Sequence, residues 1–503
     1  MPAGSGARGH CEDTPGTRGR ASLAQGVDAA GGTLAGTTGI GREPPGDLSA
    51  GDSSYEAYEA SAAGSAQMRT AGDLPVVPSV CDSGRANPAQ LETSMSSRAL
   101  MYSEQRLKDL LHESRPGYTL PQAFYGDPEA YAFDVSAVFT RSWFMLGFEA
   151  ELTEPGAYLS VTIGPHPLLL VRARDGVIRG FHNTCRHRGA QVCPEGSGIS
   201  PRIVCPYHQW TYDLSGRLLP AARMPEGLNR EEHGLVPVHI ELLEGCIYAA
   251  LTNAAPDFES FRRSAAPFLK PYRLGEARLA HQSVLIEKAN WKLVMENARE
   301  CYHCASRHPD LKISFPVVFG SGFRVTDGSR SADYVASMQA RGMAVGPETG
   351  DWWHVGRYPL NNGVESVSLD GKAVVTQRLI DTAGEPIGGL RWATEPNCFC
   401  HAFADYAFMF SAIPVGPQET RVISKWLVPK DAREGIDYRL EDLTAVWTRT
   451  NLQDRDLAEN NQRGVNGLGY RPGPYVDGAE ELVIRFNNWY RATAAECLGV
   501  YSS

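Results

Sequence analysis

Two short stretches of this 503-residue chain each carry one cysteine and one histidine: Cys185-Arg186-His187 and, after a gap of 17 residues, Cys205-Pro206-Tyr207-His208. Turn formers flank both (Gly189, Pro206, Gly216), so each pair arrives on a loop. Four such donors constrain the fold strongly, because two separate loops must converge on one metal group. Two thiolates on one iron and two imidazoles on the other make a Rieske [2Fe–2S] centre, where neutral imidazoles replace two anionic thiolates and raise the potential. The same ligands could build a Cys2His2 zinc site. Zinc ligands usually come in like pairs, whereas here each loop carries one of each kind. Cys193, between the loops, reads as a packed thiol rather than a ligand.

Eleven cysteines in a chain this long are too dilute for a disulfide framework. No charged-then-apolar export signal opens the chain, so the thiols are expected to be reduced and the protein cytoplasmic. No apolar run approaches the ~20 residues of a membrane span. A net charge of −10, from 48 basic and 58 acidic residues, argues against a nucleic-acid partner. Residues 1–97 are rich in glycine and lack both Trp and Phe. A stretch such as Gly31-Gly32-Thr33-Leu34-Ala35-Gly36 cannot bury enough apolar area to offset its ordering entropy, so a disordered low-complexity tail is predicted.

Beyond it the composition turns globular, with a helical lead-in expected over residues 98–144, packing on the later domain. Period-two alternation predicts strands over Tyr158–Ile163, Leu168–Val171 and Val177–Ile178, with Asp175-Gly176 as a hairpin turn because both residues tolerate positive φ. These make a small antiparallel β domain over residues 145–255. From residue 256 helices and strands mix: a strand over Arg421–Val428 and one long helix over Tyr438–Gly464 predict an α+β domain built on an antiparallel sheet.

A second cluster lies in that domain. A helix is predicted from Asn290 through Cys304, placing Glu300 and His303 on one face. His308 falls about 140° away on an ideal helix. Pro309 pushes it out of the α region, so the helix must end or kink there and both imidazoles can converge. Two histidines and a carboxylate form the facial triad that leaves iron positions open for O2. Helix phase supplies the third ligand. From Leu443, the residues Val446, Trp447, Thr450, Asp454 and Leu457 share one face, and a carboxylate there is costly unless paired or metal-bound. A salt bridge to an arginine is the alternative for Asp454. Asp456 points about 200° round the helix, toward solvent. Cys301 and Cys304 are read as core residues.

The local text is more specific than the ligand set. Phe181-His182-Asn183-Thr184-Cys185-Arg186-His187-Arg188-Gly189-Ala190, Cys205-Pro206-Tyr207-His208-Gln209-Trp210, Glu296-Asn297-Ala298-Arg299-Glu300-Cys301-Tyr302-His303-Cys304 and Gln453-Asp454 resemble the α subunits of Rieske non-haem iron oxygenases over roughly residues 100–503. They are most similar to the branch holding glycine betaine, choline and carnitine monooxygenases and stachydrine demethylases. Ring-hydroxylating dioxygenases usually carry Asp where this chain has Glu300.

The resemblance implies a Rieske domain followed by a helix-grip catalytic domain over residues 256–503. It also implies one [2Fe–2S] cluster, one mononuclear Fe(II), O2 as co-substrate and a head-to-tail homotrimer. Cys185, His187, Cys205 and His208 would hold the cluster, and His303, His308 and Asp454 the single iron. Glu300 would bridge His208 of one subunit to His303 of the next. The chain has no Gly-x-Gly-x-x-Gly after a strand, so a separate flavin/iron–sulfur reductase is expected. The implied reaction is O2-dependent hydroxylation and oxidative N-demethylation of a quaternary ammonium compound, releasing formaldehyde. Aromatic-ring or other C–H hydroxylation, electron transfer by the Rieske domain alone, and a zinc-binding interaction protein are the alternatives. Trp352-Trp353 are candidate faces for a quaternary ammonium cage. Several Arg and Lys residues qualify to meet a substrate carboxylate.

Overall fold

The computed structural model describes residues 103–220, 224–317, 332–382 and 384–500. The tail expected over residues 1–97 lies outside them. The first sheet begins with β1 (Trp143–Phe148), β2 (Ala157–Ile163), β3 (His166–Arg172), β4 (Ile178–His182) and β5 (Gly196–Ile199), of which β1 is buried along its whole length. A short ladder of β6 (Ile203–Val204) and β7 (Thr211–Tyr212) follows, before β8 (Pro237–Leu243) and β9 (Cys246–Ala250) complete the large sheet. Its order is β1-β9-β8-β4-β3-β2-β5, antiparallel throughout. The β3–β4 hairpin turns at the expected dipeptide, but only Gly176 takes positive φ (+81°). Asp175 instead accepts the Val177 N–H on its carboxylate, at 3.1 Å. A separate apolar cluster, including Leu169, Phe181, Ile203 and Tyr212, sits under the β6–β7 ladder and the two cysteine loops.

The second sheet runs β10 (Arg278–Glu287), β16 (Glu419–Val428), β15 (Ala407–Gly416), β14 (Cys398–Ala402), β13 (Gly389–Thr394), β12 (Trp353–Tyr358) and β11 (Glu348–Thr349) in spatial order. Its helices are α1 (Glu259–Leu269), α2 (Trp291–Arg299), α3 (Leu440–Val465) and α4 (Glu481–Cys497). The architecture is the expected α+β arrangement: an antiparallel β domain, then an antiparallel sheet gripped by helices. The long helix begins at Leu440 rather than Tyr438, which stays buried outside it.

Buried polar contacts tie these parts together. The Asn397 side chain, in the β13–β14 turn, accepts the Met145 N–H (3.1 Å) and donates to its carbonyl (3.0 Å) on β1. Lys425 on β16 reaches Glu151 at 2.7 Å. In the lead-in, fully buried Asp134 pairs with Lys292 and accepts from Trp291 Nε1 (3.0 Å) and Tyr490 OH (2.8 Å). Removing one partner of so enclosed a pair leaves an uncompensated charge. The lead-in is thereby held against α2 and α4. Among the described residues no helix is long and apolar enough to cross a membrane.

Candidate metal centres

The two cysteine loops share one backbone device. Cys185 donates its N–H to the Ala190 carbonyl (2.7 Å) and accepts from Gly189 N–H (2.9 Å). Cys205 repeats this with Trp210 (2.8 Å) and Gln209 (3.0 Å). The turn needs a left-handed residue four places after each cysteine, supplied by Gly189 (φ +80°) and Gln209 (φ +59°). For glutamine that conformation carries strain of about 1–3 kcal/mol, tolerated where surrounding structure over-determines it.

The donors divide by depth. Cys185 and Cys205 are buried, while His187 and His208 are exposed with ring centroids 4.6 Å apart. Trp210 stacks on His187 at 4.8 Å, and Tyr212 OH lies 3.4 Å from Cys185 Sγ. Sulfurs inside and imidazoles outside fit a two-iron cluster with a thiolate-bound inner iron and an imidazole-bound outer iron at the surface. Cys193 is buried nearby, its thiol pushed up to about 11 by burial. Replacing His187 or His208 by Cys should lower the cluster potential by roughly 200 mV or more, since an anionic ligand replaces a neutral one. Redox titration reads this, and an unchanged potential in both variants removes these residues as ligands.

At the second centre the chain departs from the predicted helix. Helix α2 ends at Arg299, and Glu300 is extended (φ −127°, ψ 172°), so Glu300 and His303 do not share a helical face. The Glu300 carboxylate turns back and accepts the backbone N–H of Tyr302, replacing the helical acceptor and opening a new turn. Cys304–Arg307 is a separate short helix, and His308 leaves the α region (φ −117°, ψ 75°) ahead of Pro309.

Asp454 on α3 meets both imidazoles. His303 Nε2 and His308 Nε2 lie 2.9 Å apart, and Asp454 Oδ1 is 3.1 and 3.0 Å from them. Each opposite ring nitrogen is occupied: His303 Nδ1 by Glu300 Oε1 (2.5 Å) and His308 Nδ1 by Gln453 Oε1 (2.7 Å). Both Nε2 atoms are thus aimed at one point beside a carboxylate, which is the donor set of a facial triad.

Burial disfavours charge on His303, but Asp454 and Glu300 outweigh it and raise its pKa to about 10. Burial likewise opposes ionisation of Asp454, yet His303 and His308 hold its carboxyl below the usual range. A cation at this point takes the place of the shared proton. Asp456 is exposed and pairs with Arg455 at 2.9 Å, as its helix phase requires. Gln453→Leu leaves His308 without its orienting acceptor and should weaken iron binding about 10- to 100-fold. Iron titration of the metal-free variant measures this, and wild-type affinity would discard the orienting role.

Two further sequence expectations fail around this centre. Cys301 and Cys304 are not a pair of reduced core thiols. They are buried but joined as a disulfide, because the turn at Cys301–Cys304 brings their Cα atoms to 4.8 Å, within bridging range. Trp352 and Trp353 form no cage. Both are buried: Trp352 packs on Phe258 (5.9 Å) and Phe261 (5.3 Å) at the start of α1, and Trp353 on Phe261 (5.4 Å), because α1 covers that end of the sheet.

The pocket beside the triad is instead lined by Phe315, Arg391, Phe399, His401, Trp447 and Thr450, among others. In register Arg391 pairs with His401, and Phe399 is two pairs along, so these three share one sheet face. Trp447 reaches down from α3 to stack on Phe408 (4.3 Å) and His401 (5.0 Å). Nothing local in the sequence tells which face of β13 and β14 the long helix will cover.

Comparison with known proteins agrees with this layout. Residues 142–230 match the Rieske [2Fe–2S] domain, and residues 274–496 match the ring hydroxylating alpha subunit catalytic domain. The glycine betaine monooxygenase oxygenase subunit of Chromohalobacter salexigens is 37% identical over 434 residues, covering 84% of this chain and 96% of that protein. The protein of the same description from Pseudomonas aeruginosa strain PAO1 is 36% identical, covering 78% and 93%. A crystal structure of the quaternary ammonium Rieske monooxygenase CntA with an inhibitor has the same fold, with a TM-score of 0.59 at 21% identity, covering 75% of this chain and 96% of that one.

Proposed function

Because the chain belongs to the family of Rieske non-haem iron oxygenase α subunits, we propose that it is the oxygenase component of a monooxygenase that removes an N-methyl group from a quaternary ammonium substrate such as glycine betaine. The observation that carries this reading is the meeting of His303, His308 and Asp454 at the edge of a cavity walled by aromatic rings. Curated relatives named as glycine betaine monooxygenase oxygenase subunits support the substrate class.

In this reading residues 145–255 hold a Rieske cluster on Cys185, His187, Cys205 and His208. Residues 256–503 hold one Fe(II) on His303, His308 and Asp454, residues 98–144 brace the latter domain, and residues 1–97 take no part in catalysis. The bound cofactors supply two electrons and activate O2. One oxygen atom enters a methyl C–H bond, the other leaves as water with two protons, and the resulting hemiaminal collapses to the tertiary amine and formaldehyde.

The chain's own groups do the rest. Glu300 and Gln453 fix the tautomers of His303 and His308, and Trp447, Phe399 and Phe315 exclude water and attract the ammonium by cation–π contact worth about 0.5–2 kcal/mol per ring. Glu300 and His303 also line a second pocket, with Tyr302 exposed beside them. That opening supports a head-to-tail trimer in which a neighbour's His208 approaches Glu300. Electrons come from a separate cytoplasmic reductase.

The test is formaldehyde release from glycine betaine, stachydrine, carnitine and choline by iron-loaded enzyme with a surrogate reductase. Formaldehyde from at least one of them supports the reading. Oxidation of aromatic hydrocarbons with no formaldehyde from any quaternary amine would reject it.

A further inference from the structure

The cavity beside the triad contains one positive charge that the protein leaves without a counter-ion. Arg391 is 6% exposed. Its only side-chain hydrogen bond among the described residues runs from Nη2 to the Ala298 carbonyl (3.0 Å), and its Nε has no partner. Other buried cations are treated differently: Lys292 meets Asp134, Arg299 meets Glu395 and Lys425 meets Glu151. Arg357, which also lacks a carboxylate, donates to Tyr272 OH (2.8 Å) and does not line the cavity. A buried guanidinium with free donors is costly unless an anion completes it, and its planar fork suits a carboxylate. Burial and the neighbouring Arg299 lower the Arg391 pKa to about 10, against a smaller opposing pull from Tyr358 and from Glu395, which is itself paired with Arg299.

The surroundings restrict what that anion is. Arg391 lies over the Phe399 ring (5.4 Å to its centroid) and opposite His401 in the sheet. His401 is kept neutral by burial and by Arg391, and its Nδ1 is tied to Tyr358 OH at 2.5 Å. Beyond them the cavity wall is aromatic, with Phe315 edge-on to Trp447 at 6.2 Å. One end of the cavity therefore suits an anion and the rest suits a cation or apolar groups.

We propose that Arg391 is the carboxylate-binding residue of this cavity, so that the enzyme selects zwitterionic N-methyl ammonium acids over ammonium alcohols of similar size. This rests on the functional reading above and goes beyond it by naming the residue that sets selectivity within the quaternary amines. Arg391 holds the substrate by its carboxylate, and the ammonium is left against the rings with its methyl groups toward the triad.

Calorimetric binding to the iron-loaded enzyme, without reductase, tests this with glycine betaine and choline, which differ mainly in carboxylate against alcohol. Wild-type enzyme should bind glycine betaine about 10- to 100-fold more tightly than choline, and Arg391→Gln should abolish that preference while leaving choline affinity unchanged. Arg391→Lys keeps the charge without the fork and should fall between the two. Retention of the preference in Arg391→Gln overturns the proposal. So does its absence from wild-type enzyme, a comparison that needs no variant to fold. If glycine betaine is still demethylated in either case, only the subsite falls. If wild-type enzyme neither binds nor demethylates any quaternary amine, the functional reading falls and the subsite with it.

Discussion

Asp454→Ala should yield a coloured protein that keeps its [2Fe–2S] absorption, loses its mononuclear iron and no longer turns over. Asp454 is the only anionic member of the triad, and both imidazoles lie within 3.1 Å of its Oδ1. Without it, two neutral nitrogens remain to hold a dication, and the carboxylate that favours binding is gone. Iron analysis should fall from about three atoms per chain to about two. Asp456→Ala is the control. It removes an exposed pair with Arg455 worth only ~0–1 kcal/mol and should change neither iron content nor turnover. A full iron complement in Asp454→Ala, or loss of iron in Asp456→Ala, would show that the triad has been assigned to the wrong carboxylate.

Glu300→Gln should leave both centres loaded and uncouple them. Glu300 uses both oxygens within its own chain: Oε1 bonds His303 Nδ1, and Oε2 receives the Tyr302 N–H. A glutamine cannot reproduce this, because its amide nitrogen must face either the Tyr302 N–H or the imidazole N–H. It also removes the negative charge that favours proton and electron movement through His303. Transfer from the cluster to the mononuclear iron should slow by roughly 10- to 100-fold, the usual cost of losing a carboxylate behind a ligating histidine. Mixing reduced enzyme with substrate and O2 and following cluster oxidation reads this step directly. Oxidation at the wild-type rate with both metals present would leave Glu300 as no more than a cap on the turn at Tyr302.

The candidate donor sets were legible because metal binding demands particular side chains at short, geometrically restricted spacings. The loop cysteines are followed by residues that can adopt the left-handed turn, and Pro309 announces where His308 leaves the helix. Asp454 was reached by helical phase alone, since Leu443, Val446, Trp447 and Thr450 bury the same face. The break at Glu300 was not legible. Helical periodicity runs through it, and the break depends on its carboxylate capping the Tyr302 turn while bonding His303. The Cys301–Cys304 bridge follows from that same turn, so the error about one carried over to the other.

The tryptophan pair shows the other kind of failure. Trp352-Trp353 and the cavity residue Trp447 are equally apolar, and only the position of α1 against one end of the sheet and α3 across its face separates packing from binding. By itself the sequence determined which donors exist, how each loop presents them and which side of the long helix carries Asp454. All of these depend on backbone geometry over a few residues. Tertiary structure alone decided that His303 and Asp454, 151 residues apart, meet at one point, and that Arg391 lines the same cavity with no ion pair of its own among the described residues. Those outcomes depend on which faces of distant strands and helices are pressed together, and burial energy summed over the whole core sets that choice rather than any local pattern.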